Sequence, residues 1–225
     1  NISIFGAGTW GLGIAVLLHN NGHGVTVWSA VPAEIESLQA TREQKNLPGV
    51  HFSQEIVFTT DLEPAVKQAD LLVMAVASIY TRATARRLSP YVAEGQVIVN
   101  VAKGIEEGTL DLLCDQIQQE IPQADVAVLS GPSHAEEVSG GIPTTCVAGA
   151  KTQKTAEMIQ NLFMSPVFRV YTSPDVLGIE LGGSLKNVIA LAAGIADGLG
   201  YGDNTKAALI TRGLAEITRL GTAMG

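Results

Sequence analysis

The stretch Asn1-Ile2-Ser3-Ile4-Phe5-Gly6-Ala7-Gly8-Thr9-Trp10-Gly11 decides the fold of this chain. The apolar run at its start predicts a buried strand, and Gly6, Gly8 and Gly11 follow at the spacing of a GxGxxG turn. In such a turn the first glycine permits the tight bend, the second lets the backbone approach a pyrophosphate, and the third lets helix and strand pack closely. The pattern alone is a weak signal. Its position after the first of several alternating strands predicts dinucleotide binding, with a simple glycine-rich turn as the alternative.

Outward from this turn, apolar strand-like runs alternate with segments of helical period. The predicted strands are Ile2–Phe5, Val25–Trp28, Leu71–Val76, Val97–Val101, Val126–Leu129, Thr144–Ala148 and Phe168–Tyr171. The predicted helices between them are Gly11–Asn20, Pro32–Gln39, Leu62–Gln68, Tyr80–Leu88, Leu110–Glu120 and Thr152–Leu162. This alternation predicts an α/β fold with right-handed crossovers and a doubly wound, Rossmann-type sheet.

The alternation ends near Ser173-Pro174, and the chain then becomes helical. Ser173 is the predicted N-cap of one long helix over Pro174–Leu199, and a second helix is predicted from Thr205. We therefore expect a dinucleotide-binding Rossmann domain over residues 1–173 and the first part of an all-helical substrate domain over 174–225. Because the last helix is still amphipathic at the final residue, we expect further functional residues beyond it.

Composition excludes several kinds of partner. The 225 residues are 46% hydrophobic and 5% aromatic, carry a net charge of −8, and have no basic cluster larger than Arg86-Arg87. Nucleic acid and anionic membranes are therefore not expected partners, and no run reaches the roughly 18 apolar residues of a membrane span. Cys114 and Cys146 are too few for a disulfide framework and predict buried thiols of a cytoplasmic protein. Cysteines and histidines are scattered, so no metal site is predicted.

Lys186 is the most unusual charge in the chain. It lies in Gly182-Gly183-Ser184-Leu185-Lys186-Asn187-Val188-Ile189-Ala190, and no acid stands three or four residues away to pair with it. One interpretation is a lysine that reaches water or a distant acid. The other is a partly desolvated amine with a lowered pKa, suited to proton transfer at a carbonyl.

Two further segments offer polar groups at the ends of predicted strands, where ligands bind in such sheets. Lys103 follows the strand Val97–Val101 and is suited to bind a phosphate or carboxylate, or it is an exposed loop lysine. Ser133 and Glu136 fit a helix capping box, and His134 between them is expected to be a packing or rim residue.

The choice between NAD and NADP stays open in the sequence. An acid that binds the adenosine ribose is expected about twenty residues after the glycine turn, at the end of the second strand. This chain has Trp28-Ser29-Ala30-Val31 there, without Asp, Glu or Arg. Glu34 is placed too far into the next helix to be a firm substitute.

Five motifs taken in order resemble one family. They are Gly6-Ala7-Gly8-Thr9-Trp10-Gly11, Ala102-Lys103-Gly104, Ser130-Gly131-Pro132-Ser133, Leu181-Gly182-Gly183-Ser184-Leu185-Lys186-Asn187-Val188 and Asn204-Thr205-Lys206-Ala207-Ala208-Leu209-Ile210-Thr211-Arg212-Gly213. Together they resemble the bacterial NAD(P)-dependent glycerol-3-phosphate dehydrogenases. That resemblance implies reversible reduction of dihydroxyacetone phosphate to sn-glycerol 3-phosphate for phospholipid synthesis, with NAD or NADP as cofactor. It also implies a homodimer.

The resemblance also implies roles for individual residues. Lys186 aligns with the lysine that exchanges a proton with the carbonyl oxygen. The implied substrate-binding residues are Lys103, Gly131, Ser133 and Asn187. The implied cofactor-binding residues are Gly6, Gly8, Thr9, Trp10, Gly11, Lys103 and Ala135.

Two alternatives remain. One is another dehydrogenase with a Rossmann domain followed by helices, acting on a hydroxy acid or an acyl thioester. The other is a sensor that binds the dinucleotide without turnover. The Ser130–Ser133 loop and the Asn204–Gly213 run favour glycerol phosphate over the first, and the unpaired Lys186 weighs against the second.

Overall fold

Eight apolar runs form one sheet in the computed structural model, which describes residues 1–225. The strands are β1 Ile2–Phe5, β2 Val25–Trp28, β3 Val57–Thr59, β4 Leu71–Met74, β5 Val97–Asn100, β6 Asp125–Ser130, β7 Thr144–Ala150 and β8 Phe168–Ser173. The helices are α1 Thr9–Asn20, α2 Pro32–Thr41, α3 Leu62–Lys67, α4 Thr81–Leu88, α5 Leu113–Glu120, α6 Ala135–Ser139, α7 Gln153–Phe163, α8 Val176–Gly198 and α9 Asp203–Met224.

The sheet has the order β3-β2-β1-β4-β5-β6-β7-β8, and every neighbouring pair is parallel except β6 with β7. The predicted α/β, doubly wound fold is confirmed. The predicted pattern of crossovers fails at β7, because β7 runs antiparallel to β6. The strand order reverses direction between β1 and β4, so the crevice where ligands bind in such sheets lies at the carboxyl ends of these strands.

Helices cover both faces of the sheet, and neighbouring residues of β1 are buried on opposite faces. Ile4 belongs to a large apolar cluster on one face, whereas Phe5 belongs to a second cluster on the other. Both side chains are fully buried. Strands buried on both faces need nearly continuous apolar runs. β4 is wholly apolar, and β1 and β5 each contain a single buried polar residue, Ser3 and Asn100.

The sequence misplaced several local features. It missed β3, which is only three residues long, and it capped the five-residue helix α6 at Ser133, whereas the N-cap is His134. It began α5 at Leu110, but Leu110 has a left-handed backbone (φ 63°) and α5 begins at Leu113. The N-cap of α8 is Asp175, not Ser173, because the Asp175 carboxylate accepts the backbone N–H of Gly178 at 2.8 Å.

The boundary predicted between residues 173 and 174 falls in the short link between β8 and α8. Beyond this link the chain has only α8 and α9, which pack on each other. The division into two domains stays a prediction, because α8 also packs against β6 and β7 of the sheet.

Helix α8 is long and apolar enough, by length and composition alone, to cross a membrane, with a mean hydropathy of 1.4 over its most apolar window. The expectation that no segment reaches this threshold is therefore wrong. One such helix is weak evidence of a span.

We predict that Gly11→Ala destabilises the protein by about 2 kcal/mol, the usual scale of overpacking. A Cβ at Gly11 would meet the carbonyl oxygen of Gly6, and it would lie 3.3 Å from the Cβ of Ala75. The matched control is Gly8→Ala in the same turn, where a Cβ would find nothing within 4 Å. Its weaker helix capping and its lower unfolded-state entropy offset each other, so a change within about 0.5 kcal/mol is expected. Urea unfolding followed by circular dichroism measures both, and equal losses would contradict this account.

Candidate active site

The glycine turn after β1 has the geometry that a dinucleotide pyrophosphate requires. Gly6 has φ +123°, and a Cβ there would lie 2.7 Å from the carbonyl carbon of Ala75 on the neighbouring strand. Gly8 is the N-cap residue of α1, and the space around its missing Cβ is open. The unpaired N–H groups at the start of α1 favour an anion. These residues fit a dinucleotide phosphate.

A cavity of about 570 Å³ extends from the glycine turn to the end of β2. Its walls include Trp28, Ser29, Glu34 and Arg87, and its volume suits the nucleotide part of a cofactor. The sequence placed Glu34 too far from this position, and the structure corrects that. Because α2 begins directly after β2, Glu34 lies in its first turn and accepts the Ser29 hydroxyl at 2.7 Å.

Lys103, Trp10 and Ser133 come from three different segments and meet at the edge of the crevice. The Trp10 indole N–H donates to the carbonyl of Val101 at 2.9 Å, and the Lys103 ammonium lies 5.4 Å from the centre of the Trp10 ring. Lys103 Nζ donates to Ser133 Oγ at 3.3 Å. Thr9 stands beside Trp10 at the start of α1 and is half-buried. The predicted phosphate-turn and substrate-loop residues are therefore brought together.

The loop after β6 is not the capping box that the sequence indicated. Helix α6 begins at Ala135, its N-cap is His134 without a side-chain hydrogen bond, and Ser133 donates instead to the carbonyl of Gly131 at 3.3 Å. Ser133 Oγ is consequently free to accept a hydrogen bond from the Lys103 ammonium. Ala135 is buried, and its carbonyl would be 3.2 Å from a Cβ on Gly13, so α1 and α6 pack closely there.

Lys186 is half-buried on α8 and makes no ion pair. Its ammonium donates to the exposed Asn187 Oδ1 at 3.0 Å. Together with Gly131 it lines a cavity of about 240 Å³, whose α8 wall includes Gly182 and Gly183. A larger cavity of about 620 Å³ lies between α8 and α9 and contains none of the predicted site residues.

The apolar surroundings expected for Lys186 are not formed in this chain. Val188 and Leu191 are 63% and 68% exposed. The pKa of Lys103 is lowered, because burial disfavours its ammonium and the positive charge of Lys186 disfavours it further. Lys103 packs near Gly183, a residue of the cavity that Lys186 lines, so two cations without a carboxylate partner lie near each other. An anionic ligand would neutralise such a pair.

Two side chains of α8 hold the loop that carries Lys103. The buried Glu180 carboxylate accepts the Asn100 side-chain amide at 3.3 Å and the Cys114 backbone N–H at 3.1 Å. The Ser184 hydroxyl accepts the Gly104 N–H at 2.9 Å and donates to the Gly104 carbonyl at 3.2 Å. In the sequence, Glu180, Ser184 and Asn187 form only a polar stripe along an otherwise apolar helix. Burial raises the pKa of Glu180 to about 7.

The two cysteines are free and buried, as predicted. Burial raises the pKa of Cys146 to about 11, and that of Cys114 also rises, so neither thiol is a reactive nucleophile. No group of three or more His, Cys, Asp or Glu side chains is arranged to hold a metal ion.

The glycine turn at the switch point and the adjoining nucleotide-sized cavity define a Rossmann-type dinucleotide-binding protein. Residues 1–156 match the family described as NAD-dependent glycerol-3-phosphate dehydrogenase N-terminus, and residues 175–225 match its C-terminus. The chain belongs to the NAD-dependent glycerol-3-phosphate dehydrogenase family, as the motifs predicted.

Curated relatives carry the same description. A protein from Agathobacter rectalis named glycerol-3-phosphate dehydrogenase [NAD(P)+] is 63% identical over all of this chain and 67% of its own length. A protein of the same name from Fusobacterium nucleatum is 55% identical over all of this chain and 68% of its own length.

Solved structures of glycerol-3-phosphate dehydrogenases share the fold of this chain. The glycerol-3-phosphate dehydrogenase of Coxiella burnetii superposes with a TM-score of 0.92 at 34% identity, over 100% of this chain and 69% of its own. The GDP-mannose dehydrogenase of Pseudomonas aeruginosa has a TM-score of 0.72 at 16% identity, over 87% of this chain and 50% of its own, and shares the fold alone.

We predict that Glu180 makes stability fall as the pH rises. Its pKa is about 7 in the folded protein and about 4.3 when unfolded, so only the folded state holds the proton between these values. Its contribution is fully present below about pH 4 and is lost as the pH rises to about 7, by roughly 4 kcal/mol in total.

Glu180→Gln keeps the acceptor oxygen without the titration. Urea unfolding between pH 5 and 7 is therefore expected to show a shallower decline for this variant than for the wild type. The control is Glu94→Gln at an exposed position, which is expected to keep the wild-type slope. Parallel slopes for wild type and Glu180→Gln would refute the assignment.

Proposed function

We propose that this protein is the catalytic part of a glycerol-3-phosphate dehydrogenase, which reduces dihydroxyacetone phosphate reversibly to sn-glycerol 3-phosphate for phospholipid synthesis. The bound nicotinamide cofactor supplies or accepts the hydride. The single observation that carries the proposal is the pair Lys103 and Lys186. Lys186 lines the 240 Å³ cavity, Lys103 packs near Gly183 of the same cavity, and neither lysine has an acid partner. A phosphorylated carbonyl compound supplies both an anion and an oxygen that gains negative charge.

Lys186 is the proposed proton donor to the carbonyl oxygen on reduction and the acceptor on oxidation. A cation aimed at an oxygen that gains charge stabilises the transition state, and its proton completes the alcohol. Asn187 orients this ammonium through the 3.0 Å hydrogen bond. Lys103 binds the phosphate end of the substrate, with Ser133 and Gly131 completing the substrate loop.

Cofactor binding is proposed for the glycine turn and its neighbours. Backbone at Gly6, Gly8 and Gly11, with Thr9 and Trp10 at the start of α1, would hold the pyrophosphate. Lys103 and Ala135 complete the proposed cofactor-binding set. We assign residues 1–173 to a dinucleotide-binding domain and 174–225 to the first part of a helical substrate domain.

The proposed partner is a small phosphorylated substrate, and the proposed setting is the cytoplasm, without nucleic acid or membrane. The net charge of −8 and the two free thiols support this. The packing of α8 against β6, β7 and α9 gives its apolar length a role within the fold. A homodimer is proposed from the family resemblance alone.

Absorbance at 340 nm tests the activity with the full-length protein. We expect dihydroxyacetone phosphate to cause oxidation of NADH or NADPH, and we expect glycerol 3-phosphate to drive the reverse reaction. A hydroxy acid or an acyl thioester that works better than dihydroxyacetone phosphate would favour another dehydrogenase class. Binding of the dinucleotide with no turnover of any of them would favour a sensor.

We predict that Lys186→Ala lowers turnover by at least about two to three orders of magnitude, the scale of losing a general acid or an oxyanion donor. Lys154→Ala is the matched control, because Lys154 is exposed on α7 and away from the crevice. It is expected to retain wild-type turnover. Near-normal turnover in Lys186→Ala would remove this lysine from the mechanism.

A further inference from the structure

The far end of the 570 Å³ cavity carries an anchored carboxylate. The backbone N–H of Val31 donates to Ser29 Oγ at 3.1 Å, and the Ser29 hydroxyl donates in turn to Glu34 Oε2 at 2.7 Å. Ser29 is 5% exposed, so burial fixes the position of the hydroxyl that binds Glu34. The Glu34 side chain itself is solvent-accessible, and its other oxygen, Oε1, has no partner.

Three features suit this carboxylate to bind the two neighbouring hydroxyl groups of a ribose. It sits just past the end of β2, which is the side of the crevice where the adenosine ribose binds in doubly wound sheets. The intervening Ala30 is small and leaves the approach open. Glu34 also lies in the first turn of α2, where the helix dipole favours the charged carboxylate.

The same cavity is also lined by one cation, Arg87. The Arg87 guanidinium lies 5.0 Å from the centre of the Trp28 ring, on whose face it stacks, and it makes no ion pair with Glu34. Its planar face suits a stacked base. The charged group that hydrogen bonds position at the end of β2 is therefore Glu34, whereas Arg87 is held on Trp28.

We propose that Glu34, held by Ser29, is the residue that selects NAD(H) over NADP(H) in this protein. The carboxylate accepts hydrogen bonds from the ribose 2′- and 3′-hydroxyls of NAD(H). A 2′-phosphate would remove one of these donors and place a second negative charge beside Glu34. This inference rests on the proposed function only in assuming that the cavity holds a nicotinamide dinucleotide.

Direct binding tests it, with nicotinamide fluorescence of NADH and NADPH titrated against the full-length protein. The wild type is expected to bind NADH at least about tenfold more tightly than NADPH, the scale of one hydrogen bond to a charged group. Glu34→Gln is expected to reduce that ratio about tenfold or more. Ser29→Ala keeps the carboxylate but releases it, so a partial reduction is expected.

The matched control is Glu36→Gln, an exposed acid on the same helix that does not line the cavity. It is expected to leave the ratio unchanged. Tighter wild-type binding of NADPH, abolished by Arg87→Gln, would overturn the proposal and make Arg87 the phosphate ligand. An equal loss of both cofactors in Glu34→Gln would also overturn it.

Turnover of dihydroxyacetone phosphate is measured separately on the same samples. NADH-selective binding without turnover would refute the proposed reaction and leave the role of Glu34 intact. Turnover with an NADPH preference would support the proposed reaction and refute the role of Glu34.

Discussion

The buried carboxylate of Glu180 joins the helix that carries Lys186 to the strand end that carries Lys103. It accepts hydrogen bonds from Asn100, at the end of β5, and from the backbone of Cys114. The Asn100 side chain in turn bonds both the N–H and the carbonyl of Ala102, the residue before Lys103. One turn along α8, Ser184 fixes Gly104, the residue after Lys103, so the loop is held on both sides of the lysine.

This attachment forces two cations toward each other. The lowered pKa of Lys103 records the cost, since burial and the charge of Lys186 both disfavour its protonated form. The protein as a whole is acidic, yet this crevice concentrates positive charge and lacks an acid partner. A dianionic substrate relieves the repulsion and is held at the same time. In the proposed reaction, substrate binding and the alignment of Lys186 with a carbonyl oxygen would follow from one arrangement.

The sequence predicted those parts of the molecule that local chemistry determines. The glycine turn after Ile2–Phe5 and the fully buried strands follow from residue type and spacing, and the chain segments that carry Lys103 and Lys186 could be placed from the same pattern. The pairing direction of a strand could not be predicted, because the residue pattern of a strand such as β7 is the same whether it lies parallel or antiparallel to its neighbour. The family resemblance supplied the substrate, which the fold alone does not define.

Features that depend on side chains meeting in space were missed. Glu34 was judged too far along the chain to bind the ribose. In the structure it lies in the first turn of α2, and its carboxylate reaches Ser29 at the end of β2. Ser133 had the spacing of a cap, but its hydroxyl is used by Gly131 and Lys103. Ser173 and Asp175 are both good capping residues, and only the backbone path decides between them. The polar stripe on α8 was visible, but its partners on β5 and α5 were not.

The central claim is that one substrate bridges the two lysines at the carboxyl end of the sheet. A crystal structure of the full-length protein with NAD and glycerol 3-phosphate tests it most directly. The account predicts the 2-hydroxyl oxygen within hydrogen-bonding distance of Lys186 Nζ, with the phosphate on the Lys103 side of the same crevice. Glycerol 3-phosphate bound elsewhere, or bound with its 2-hydroxyl away from Lys186, would contradict it.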